Sequence, residues 1–138
     1  MTSDRLFLDT AFIQALLNRR DKYHEKAKLL FPRVREAREI WVTQAVLLEV
    51  GNALRSLNRA GAETFIRQCY NTSNVRVVEA DHALIMRSLD FHRSHEDKDW
   101  SLTDCLSFIV MRDEKITEAA TADLHFRQAG FRALLLEE

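Results

Sequence analysis

The stretch Arg5-Leu6-Phe7-Leu8-Asp9-Thr10 decides the fold of this chain. Three large apolar residues run directly into the carboxylate of Asp9. Apolar residues then recur at helical spacing, at Phe12, Ile13, Leu16 and Leu17. This pattern predicts a short buried strand that leads into a helix. Ligands of open α/β sheets collect beyond the carboxyl ends of the strands, so Asp9 lies where a site would form. Asp is also a favoured helix N-cap, and both interpretations stay open at this point.

Length and composition limit the class of protein. The chain has 138 residues, of which 46% are hydrophobic and 30% charged, with one Pro and three Gly. These values predict one globular domain over residues 1–138 with a substantial core. The net charge of −1 indicates no basic surface for nucleic acid, although a bound metal would supply its own positive charge to a phosphate.

The two cysteines and the apolar runs bear on the compartment. Cys69 and Cys105 lack the spacing of a metal site, so we expect buried thiols in a reducing environment. The chain shows no signal peptide and no apolar run long enough to cross a membrane. We therefore expect a soluble cytoplasmic protein with no membrane partner.

The hydrophobic pattern along the rest of the chain predicts alternating helices and strands. After the first strand, further strands are predicted at 40–43, 75–78, 116–121 and 131–136. Helices are predicted at 10–19, 22–37, 44–59, 62–70, 81–95, 100–111 and 122–129. Pro32 predicts a kink or a boundary near Phe31, and Gly61 marks the end of a helix. Short apolar strands separated by helices indicate a parallel sheet with right-handed crossovers. We predict an α/β fold, a three-layer α/β/α sandwich with a central parallel sheet of about four to five strands.

Three more acids occur at positions equivalent to that of Asp9. Asp104 lies in the first turn of an almost wholly apolar helix, where Ser101 and Asp104 fit a capping box. Asp123 follows the fourth predicted strand, where an N-cap is also needed. Glu49 lies on the helix that follows the second strand, and exposure to solvent is the ordinary fate of a Glu. Each acid taken alone therefore has a structural explanation.

Taken together, the four acids favour a different interpretation. Four carboxylates near strand ends of one sheet can converge on a single cleft, where they would repel one another. Hard divalent cations bind such oxygen clusters and lower the pKa of a bound water. Hydrolysis of a phosphodiester suits this arrangement best. The chain has no Ser-His-Asp order, no glycine-rich phosphate loop and no CxxC pair that would indicate another chemistry.

Four short motifs carry a resemblance to a known family, and they extend over essentially the whole chain. They are Leu8-Asp9-Thr10, Thr43 through Leu48-Glu49-Val50, Ser101-Leu102-Thr103-Asp104-Cys105 and Thr121-Ala122-Asp123-Leu124-His125-Phe126. In this order they resemble the four acidic motifs of PIN-domain ribonucleases, especially the VapC-type toxins of type II toxin–antitoxin systems. Each motif is weak alone, and the ordered set is fairly specific.

The resemblance implies a PIN-like nuclease domain and assigns roles to the acids. Asp9, Glu49, Asp104 and Asp123 would be the catalytic acids that hold one or two Mg²⁺ or Mn²⁺ ions. A metal-activated water would cleave RNA, and the family commonly forms a homodimer inhibited by a small antitoxin protein. Ala11 departs from the Asn or Ser that relatives often carry, which removes a hydrogen bond near Asp9. The fourth acid varies most in the family, so Asp123 would act directly, through water, or only by positioning substrate.

Several other polar residues have two interpretations. Thr10 and Thr121 could orient Asp9 and Asp123, or satisfy local backbone. His24 and His125 are more often surface or packed histidines than ligands of a hard metal, and a solvated loop is favoured for Asp99. Candidate contacts to RNA phosphates, among which the sequence does not choose, are Arg55, Arg59, Arg67 and Arg112. Candidates for an antitoxin groove, for which a core position is favoured, are Phe12, Leu29 and Leu30.

Three functional hypotheses follow. The first is a Mg²⁺- or Mn²⁺-dependent endoribonuclease that is the toxin of a toxin–antitoxin pair. The alternative is a non-catalytic PIN-like module that binds RNA or a protein. A third is a phosphoryl-transfer or receiver-type domain in which Asp9 is the nucleophile.

Overall fold

The N-terminal strand lies at the centre of a five-stranded sheet in the computed structural model, which describes residues 4–138. The strands are β1 (Arg5–Leu8), β2 (Glu39–Thr43), β3 (Val75–Val78), β4 (Glu118–Ala120) and β5 (Arg132–Ala133). Their order across the sheet is β3-β2-β1-β4-β5, and every neighbouring pair is parallel. Leu6, Phe7 and Leu8 are fully or almost fully buried, as expected for a strand covered on both faces. The predicted parallel sheet is confirmed.

In the part of the chain that the structure describes, seven helices flank this sheet. They are α1 (Thr10–Leu17), α2 (His24–Glu36), α3 (Gln44–Ala53), α4 (Arg59–Asn71), α5 (His82–Ser94), α6 (Leu102–Asp113) and α7 (Leu124–Gln128). Contacts link α1 to α2 and α3, α3 to α4, α5 to α6, and α6 to α7. A short 3-10 helix, Leu134–Leu136, follows β5. The predicted three-layer α/β/α sandwich is confirmed.

The boundary between α3 and α4 differs from the prediction. Helix α3 ends at Ala53, six residues early, and α4 begins at Arg59. The side chain of Asn58 caps α4, because its Oδ1 accepts from the backbone N–H of Gly61 at 3.1 Å. Gly61 therefore lies in the first turn of α4 and does not end a helix. A Cβ there would lie 2.5 Å from the nearest atom of the Asn58 side chain, so a larger residue would displace this side chain from its observed capping position.

Two more boundaries also differ. Pro32 lies inside α2, and the helix continues to Glu36, so no boundary occurs at Phe31. Ala27 and Val34 of this helix are buried, which indicates that packing overrides the intrinsic penalty of an internal proline. The last predicted strand is only the two residues of β5, because the chain then turns into the 3-10 helix.

Helix α6 passes through the centre of the domain. All eight residues from 104 to 111 are buried, which confirms that this almost wholly apolar helix packs deep. Cys69 and Cys105 are buried free thiols, as predicted. Phe12 belongs to the core, whereas Leu29 is 82% exposed, so the core position favoured for Leu29 is wrong. Within residues 4–138, no helix has the length and apolar character needed to span a membrane.

Candidate active site

The sheet topology places Asp9 and Thr121 side by side, at the carboxyl ends of two adjacent strands. The chain goes from β1 to β2 on one side, whereas β4 pairs with β1 on the other side. The strand order therefore reverses between β1 and β4, and ligands of open α/β sheets bind at such a point. Asp9 directly follows β1 and Thr121 directly follows β4. The backbone N–H of Asp9 donates to the carbonyl of Ala120 at 3.2 Å, which ties the two strand ends together.

Asp9 is not used as a helix cap. It occupies the N-cap position of α1, but its side chain makes no capping hydrogen bond. Its Oδ2 instead accepts from the hydroxyl of Thr121 at 2.7 Å. The side chain is thus turned toward the end of β4, so the structural explanation that capping offered for Asp9 does not apply.

Burial raises the pKa of Asp9 to about 7. The residue is 4% exposed. The hydrogen bond from Thr121 lowers its pKa, the negative charge of Asp104 raises it, the backbone N–H of Thr10 lowers it, and the charge of Asp123 raises it. The effect of Asp104 and Asp123 indicates that the three carboxylates share one electrostatic environment.

Asp104 caps α6 and also lies beside other ionisable groups. The capping box is present: the Asp104 N–H donates to Ser101 Oγ at 3.0 Å, and Asp104 Oδ2 accepts from the Ser101 N–H at 3.2 Å. The same Oδ2 also accepts from His125 Nδ1 at 2.9 Å. Burial and the charge of Asp123 raise the pKa of Asp104, while the His125 hydrogen bond lowers it. The helix cap therefore holds an acid that also faces other ionisable groups.

Asp123 caps α7 and lies beside the same histidine. Its Oδ1 accepts from the backbone N–H of His125 at 2.8 Å and lies 3.4 Å from His125 Nδ1. Its own N–H donates to Thr121 Oγ1 at 3.0 Å. One hydroxyl, that of Thr121, is therefore bonded both to the Asp9 carboxylate and to the backbone of Asp123.

His125 is a site residue that the sequence interpretation left among surface or packed histidines. It can offer a ligand atom together with Asp104 and Asp123, and these atoms all lie within 4.8 Å of one another. Although partial burial lowers its pKa, the hydrogen bond to Asp104 and the charges of Asp123, Asp104 and Asp99 raise it overall. The available signal was its position, two residues after a strand-end acid. His24, in contrast, bonds the backbone carbonyl of Ala15 at 2.8 Å.

The four predicted acids line one cavity of about 430 Å³. Its lining residues are Asp9, Thr10, Ala11, Gln14, Asp21, Lys22, Tyr23, Glu49, Asp104, Ala122 and Asp123. Glu49 is the exposed member of the four acids, and it reaches this cavity from the second turn of α3. The structure thus places all four acids on one cavity, at different depths.

The cavity can be tested for its fit to a metal ion. Within residues 4–138, the buried Asp9 carboxylate has no cationic partner, and the Oγ1 of buried Thr10 has no hydrogen-bond partner. Several carboxylate oxygens and an unpaired hydroxyl line this open cavity, and the imidazole of His125 lies beside two of the carboxylates, those of Asp104 and Asp123. Such a donor set suits a hard divalent cation. These residues fit Mg²⁺ or Mn²⁺.

The remaining predicted residues lie elsewhere or act differently. Thr121 bonds Asp9, whereas the Thr10 side chain bonds neither acid. Asp99 is exposed, as expected for a solvated loop. None of the four candidate arginines, Arg55, Arg59, Arg67 and Arg112, is among the described residues that line the cavity. The lining residues Gln14, Lys22 and Tyr23 were not identified from the sequence.

Comparison with known proteins identifies the family. Residues 6–132 match the PIN domain family. The 23S rRNA-specific endonuclease VapC20 of Mycobacterium tuberculosis is 30% identical over 128 residues, which cover 91% of this chain and 95% of that protein. The crystal structure of VapC20, described as a Sarcin-Ricin loop cleaving toxin, superposes with a TM-score of 0.81 at 28% identity over 91% of this chain and 95% of that chain.

A more distant structure shares the fold alone. FitAcB from Neisseria gonorrhoeae has a TM-score of 0.58 and 14% identity, over 93% of this chain and 94% of that chain. The predicted resemblance to PIN-domain proteins of the VapC type is confirmed by the sequence match and by the structural match to VapC20. This chain belongs to the PIN domain family.

Proposed function

We propose that this protein is a divalent-metal-dependent endoribonuclease that hydrolyses RNA phosphodiester bonds, and that it is the toxin of a toxin–antitoxin pair. The observation that carries the proposal is the buried Asp9 carboxylate, which lies near Asp104 and Asp123 and forms no ion pair with a cationic side chain of residues 4–138. A protein whose cavity had only a structural role would gain stability by neutralising this acid. The family match and the similarity to a named rRNA endonuclease support the same activity.

The metal ligands would be Asp9, Glu49, Asp104 and Asp123, with His125 beside them. A bound Mg²⁺ or Mn²⁺ would supply Lewis-acid polarisation of a phosphate oxygen and an ionised water at neutral pH. The protein would contribute the positions of its carboxylates. Thr121 holds Asp9 at 2.7 Å, and the capping box together with His125 holds Asp104. Such support from neighbouring hydrogen bonds sets the orientation of metal ligands.

The substrate proposed here is RNA. VapC20 is named as specific for 23S rRNA and as cleaving the Sarcin-Ricin loop, so a 23S rRNA fragment containing this loop is the first substrate to test. The panel also includes tRNA and an unstructured RNA, which measure selectivity for this loop.

We also propose two partners, an antitoxin protein and a second copy of this chain. The likeness to a toxin of the VapC type supports the first. Exposed apolar side chains support the second: Ile85 and Leu89 of α5 and Leu102 of α6 are 38%, 42% and 46% exposed and line one small cavity. Sedimentation of the purified protein tests the dimer, and copurification with the product of an adjacent gene tests the antitoxin.

The experiment that tests the activity is cleavage of this RNA panel by purified protein with Mg²⁺ or Mn²⁺, with EDTA and Asp104→Asn as controls. Metal-dependent cleavage that both controls abolish is the expected result. Metal binding by calorimetry is measured in parallel. The absence of both cleavage and metal binding would contradict the proposal and favour a non-catalytic RNA- or protein-binding module. An acid-labile phosphoenzyme that survives loss of Glu49 and Asp123 would instead assign Asp9 as a nucleophile.

A further inference from the structure

The cavity of the acids has a second group of lining residues, from the connection between α1 and α2. Asp21, Lys22 and Tyr23 of this connection line the same cavity as Asp9 and Asp104. The metal chemistry of the proposed function does not use them. They come from a different part of the chain than the strand-end acids. One of them, Lys22, is positively charged, unlike every other residue of this lining.

Lys22 is the cationic side chain of the cavity. The acidic and basic side chains that line it within residues 4–138 are five carboxylates and the single ammonium of Lys22; the carboxylates are those of Asp9, Asp21, Glu49, Asp104 and Asp123. An RNA strand carries a negative charge at every phosphate, so an acidic cavity repels the segments that flank a bound metal. Lys22 is therefore the group in this lining that attracts a phosphate.

Lys22 is also not committed to another role. It is exposed and forms no salt bridge within the described chain. Its Nζ lies 5.4 Å from the centroid of the Tyr23 ring, within the range of a cation–π interaction. The two lysines that follow it on α2 are engaged instead: Lys26 donates to two C-terminal carbonyls, and Lys28 pairs with Glu25 at 3.6 Å.

The connection that presents Lys22 is ordered by its own hydrogen bonds. Asp21 Oδ1 accepts from the N–H of Tyr23 at 2.8 Å, and the carbonyl of Asp21 accepts from the N–H of His24 at 3.0 Å. The His24 ring in turn bonds the carbonyl of Ala15 in α1 at 2.8 Å. These bonds fix the backbone on both sides of Lys22, so less conformational entropy is lost when its ammonium binds a ligand.

We propose that Lys22, held over the ring of Tyr23, binds an RNA phosphate adjacent to the scissile bond and so positions the strand on the acidic cavity. The inference rests on the proposed function, because it names a substrate-binding residue of the same site. The inference assigns the phosphate contact to Lys22 and not to the arginines that the sequence offered as candidates. Arg55 and Arg59, for example, donate to backbone carbonyls of Asn52 and Arg55, outside the cavity.

Binding of a fluorescently labelled RNA, measured by anisotropy in EDTA over a range of salt concentrations, tests the proposal without any catalysis. The RNA is the 23S rRNA loop fragment of the cleavage panel. Lys22→Met removes the charge and keeps most of the side chain, Lys22→Arg keeps the charge, and Lys28→Met is the matched control on α2. We expect Lys22→Met to weaken binding about fivefold at 0.1 M salt and to reduce the salt slope by about 0.7, as for one lost contact to single-stranded RNA. Lys22→Arg and Lys28→Met should bind as wild type does.

Two further measurements separate this inference from the proposed function. In cleavage assays, Lys22→Met should raise KM about fivefold and leave kcat within about twofold, since a positioning contact to a flanking phosphate mainly affects binding. Its Mn²⁺ affinity by calorimetry should be unchanged. If wild type neither cleaves RNA nor binds metal, the proposed function fails, and the EDTA binding series still tests Lys22. Unchanged RNA affinity in Lys22→Met, or an equal loss in Lys28→Met, would overturn the inference. Altered Mn²⁺ affinity with unaltered RNA affinity would assign Lys22 to balancing the carboxylates instead.

Discussion

Two buried carboxylates lie at opposite ends of adjacent strands, and the protein treats them differently. Asp9 follows the carboxyl end of β1 and is 4% exposed, whereas Glu118 begins β4 and is 1% exposed. Glu118 pairs with Arg33 at 2.6 Å and with Arg132. Asp9 has a hydroxyl from Thr121 and two neighbouring acids. The same fold therefore neutralises one buried acid with two guanidinium groups and supplies none to the other.

The difference separates an acid that joins elements of the fold, Glu118, from an acid that the proposed function assigns to a metal site, Asp9. Arg33 comes from α2 and Arg132 from β5, so the Glu118 cluster joins three separate elements at the amino end of β4. A guanidinium beside Asp9 would occupy the space that the proposed function assigns to a metal ion. Replacing either carboxylate by an amide should therefore have opposite effects. Asp9→Asn should lower activity and raise the stability of the metal-free protein, whereas Glu118→Gln should lower stability and leave activity nearly unchanged.

The largest effect expected is on cleavage by Asp9→Asn. The change removes one negative charge from the proposed metal site, and loss of several kcal/mol of metal-dependent stabilisation corresponds to a roughly 100- to 1000-fold lower kcat/KM. Cleavage of the RNA panel in Mg²⁺ measures it. Glu118→Gln is the matched control, an amide at the other buried acid, and should cleave within about threefold of wild type once folded. Equal activity of Asp9→Asn and wild type would contradict the metal site.

The next effect is the pH dependence of stability in the metal-free protein. The pKa of Asp9 rises from 3.8 to about 7 on folding. A group with a raised folded pKa stabilises the fold fully below its unfolded value, so this contribution is lost as pH rises from about 4 to about 7. At 1.36 kcal/mol per pKa unit, the loss is about 4 kcal/mol. Urea unfolding in EDTA measures it.

Asp9→Asn should remove most of this pH dependence and unfold at higher urea than wild type at pH 8 in EDTA. Saturating Mn²⁺ should stabilise wild type and leave Asp9→Asn little changed, by mass action on the folded state. If Asp9→Asn were the less stable protein in EDTA at pH 8, the carboxylate would be compensated in some other way.

Neutralising Glu118, the acid paired with two arginines, should cost less stability than the pH-dependent loss expected at Asp9. Glu118→Gln leaves Arg33 and Arg132 facing a neutral amide, and their side chains are 31% and 50% exposed. Because water reaches these guanidinium groups, we expect about 1–3 kcal/mol of destabilisation, less than for a fully buried pair. Asp113→Asn, which breaks an exposed pair with Arg87, should cost under about 1 kcal/mol. Urea unfolding at pH 7 compares them, and equal losses would mean that burial of Glu118 adds nothing.

The smallest effect expected is that of the hydroxyl that orients Asp9. Thr121→Val keeps the shape of the side chain and removes both the bond to Asp9 Oδ2 and the acceptor of the Asp123 N–H. Mn²⁺ affinity and cleavage should each fall about tenfold, the size typical of a group that orients a metal ligand. Thr121→Ser restores the hydroxyl and should recover most of both. A Val variant that binds Mn²⁺ as wild type does would show that Asp9 needs no such support.

Features that depend on residues close together in the sequence could be predicted, whereas features that depend on tertiary contacts could not. The capping box of Ser101 and Asp104 depends on residues three apart, so it was visible in the sequence and is present in the structure. The end of α3 was not visible, because the cap at Asn58 needs Gly61 in close contact with its side chain. His125 stands two residues from Asp123, but only the packing of α7 on α6 brings its ring to Asp104.

The sequence by itself determined the parallel α/β/α sandwich, since short apolar strands between amphipathic helices have few other ways to bury both faces of a sheet. It also determined the family, through the ordered motifs around Asp9, Glu49, Asp104 and Asp123. Only the tertiary structure decided which groups are compensated. Residues far apart in the chain meet there, so that Glu118 receives two arginines, Asp9 receives Thr121, and Lys22 reaches the cavity of the acids. Charge compensation depends on distance and burial in space, and neither quantity is encoded in local spacing.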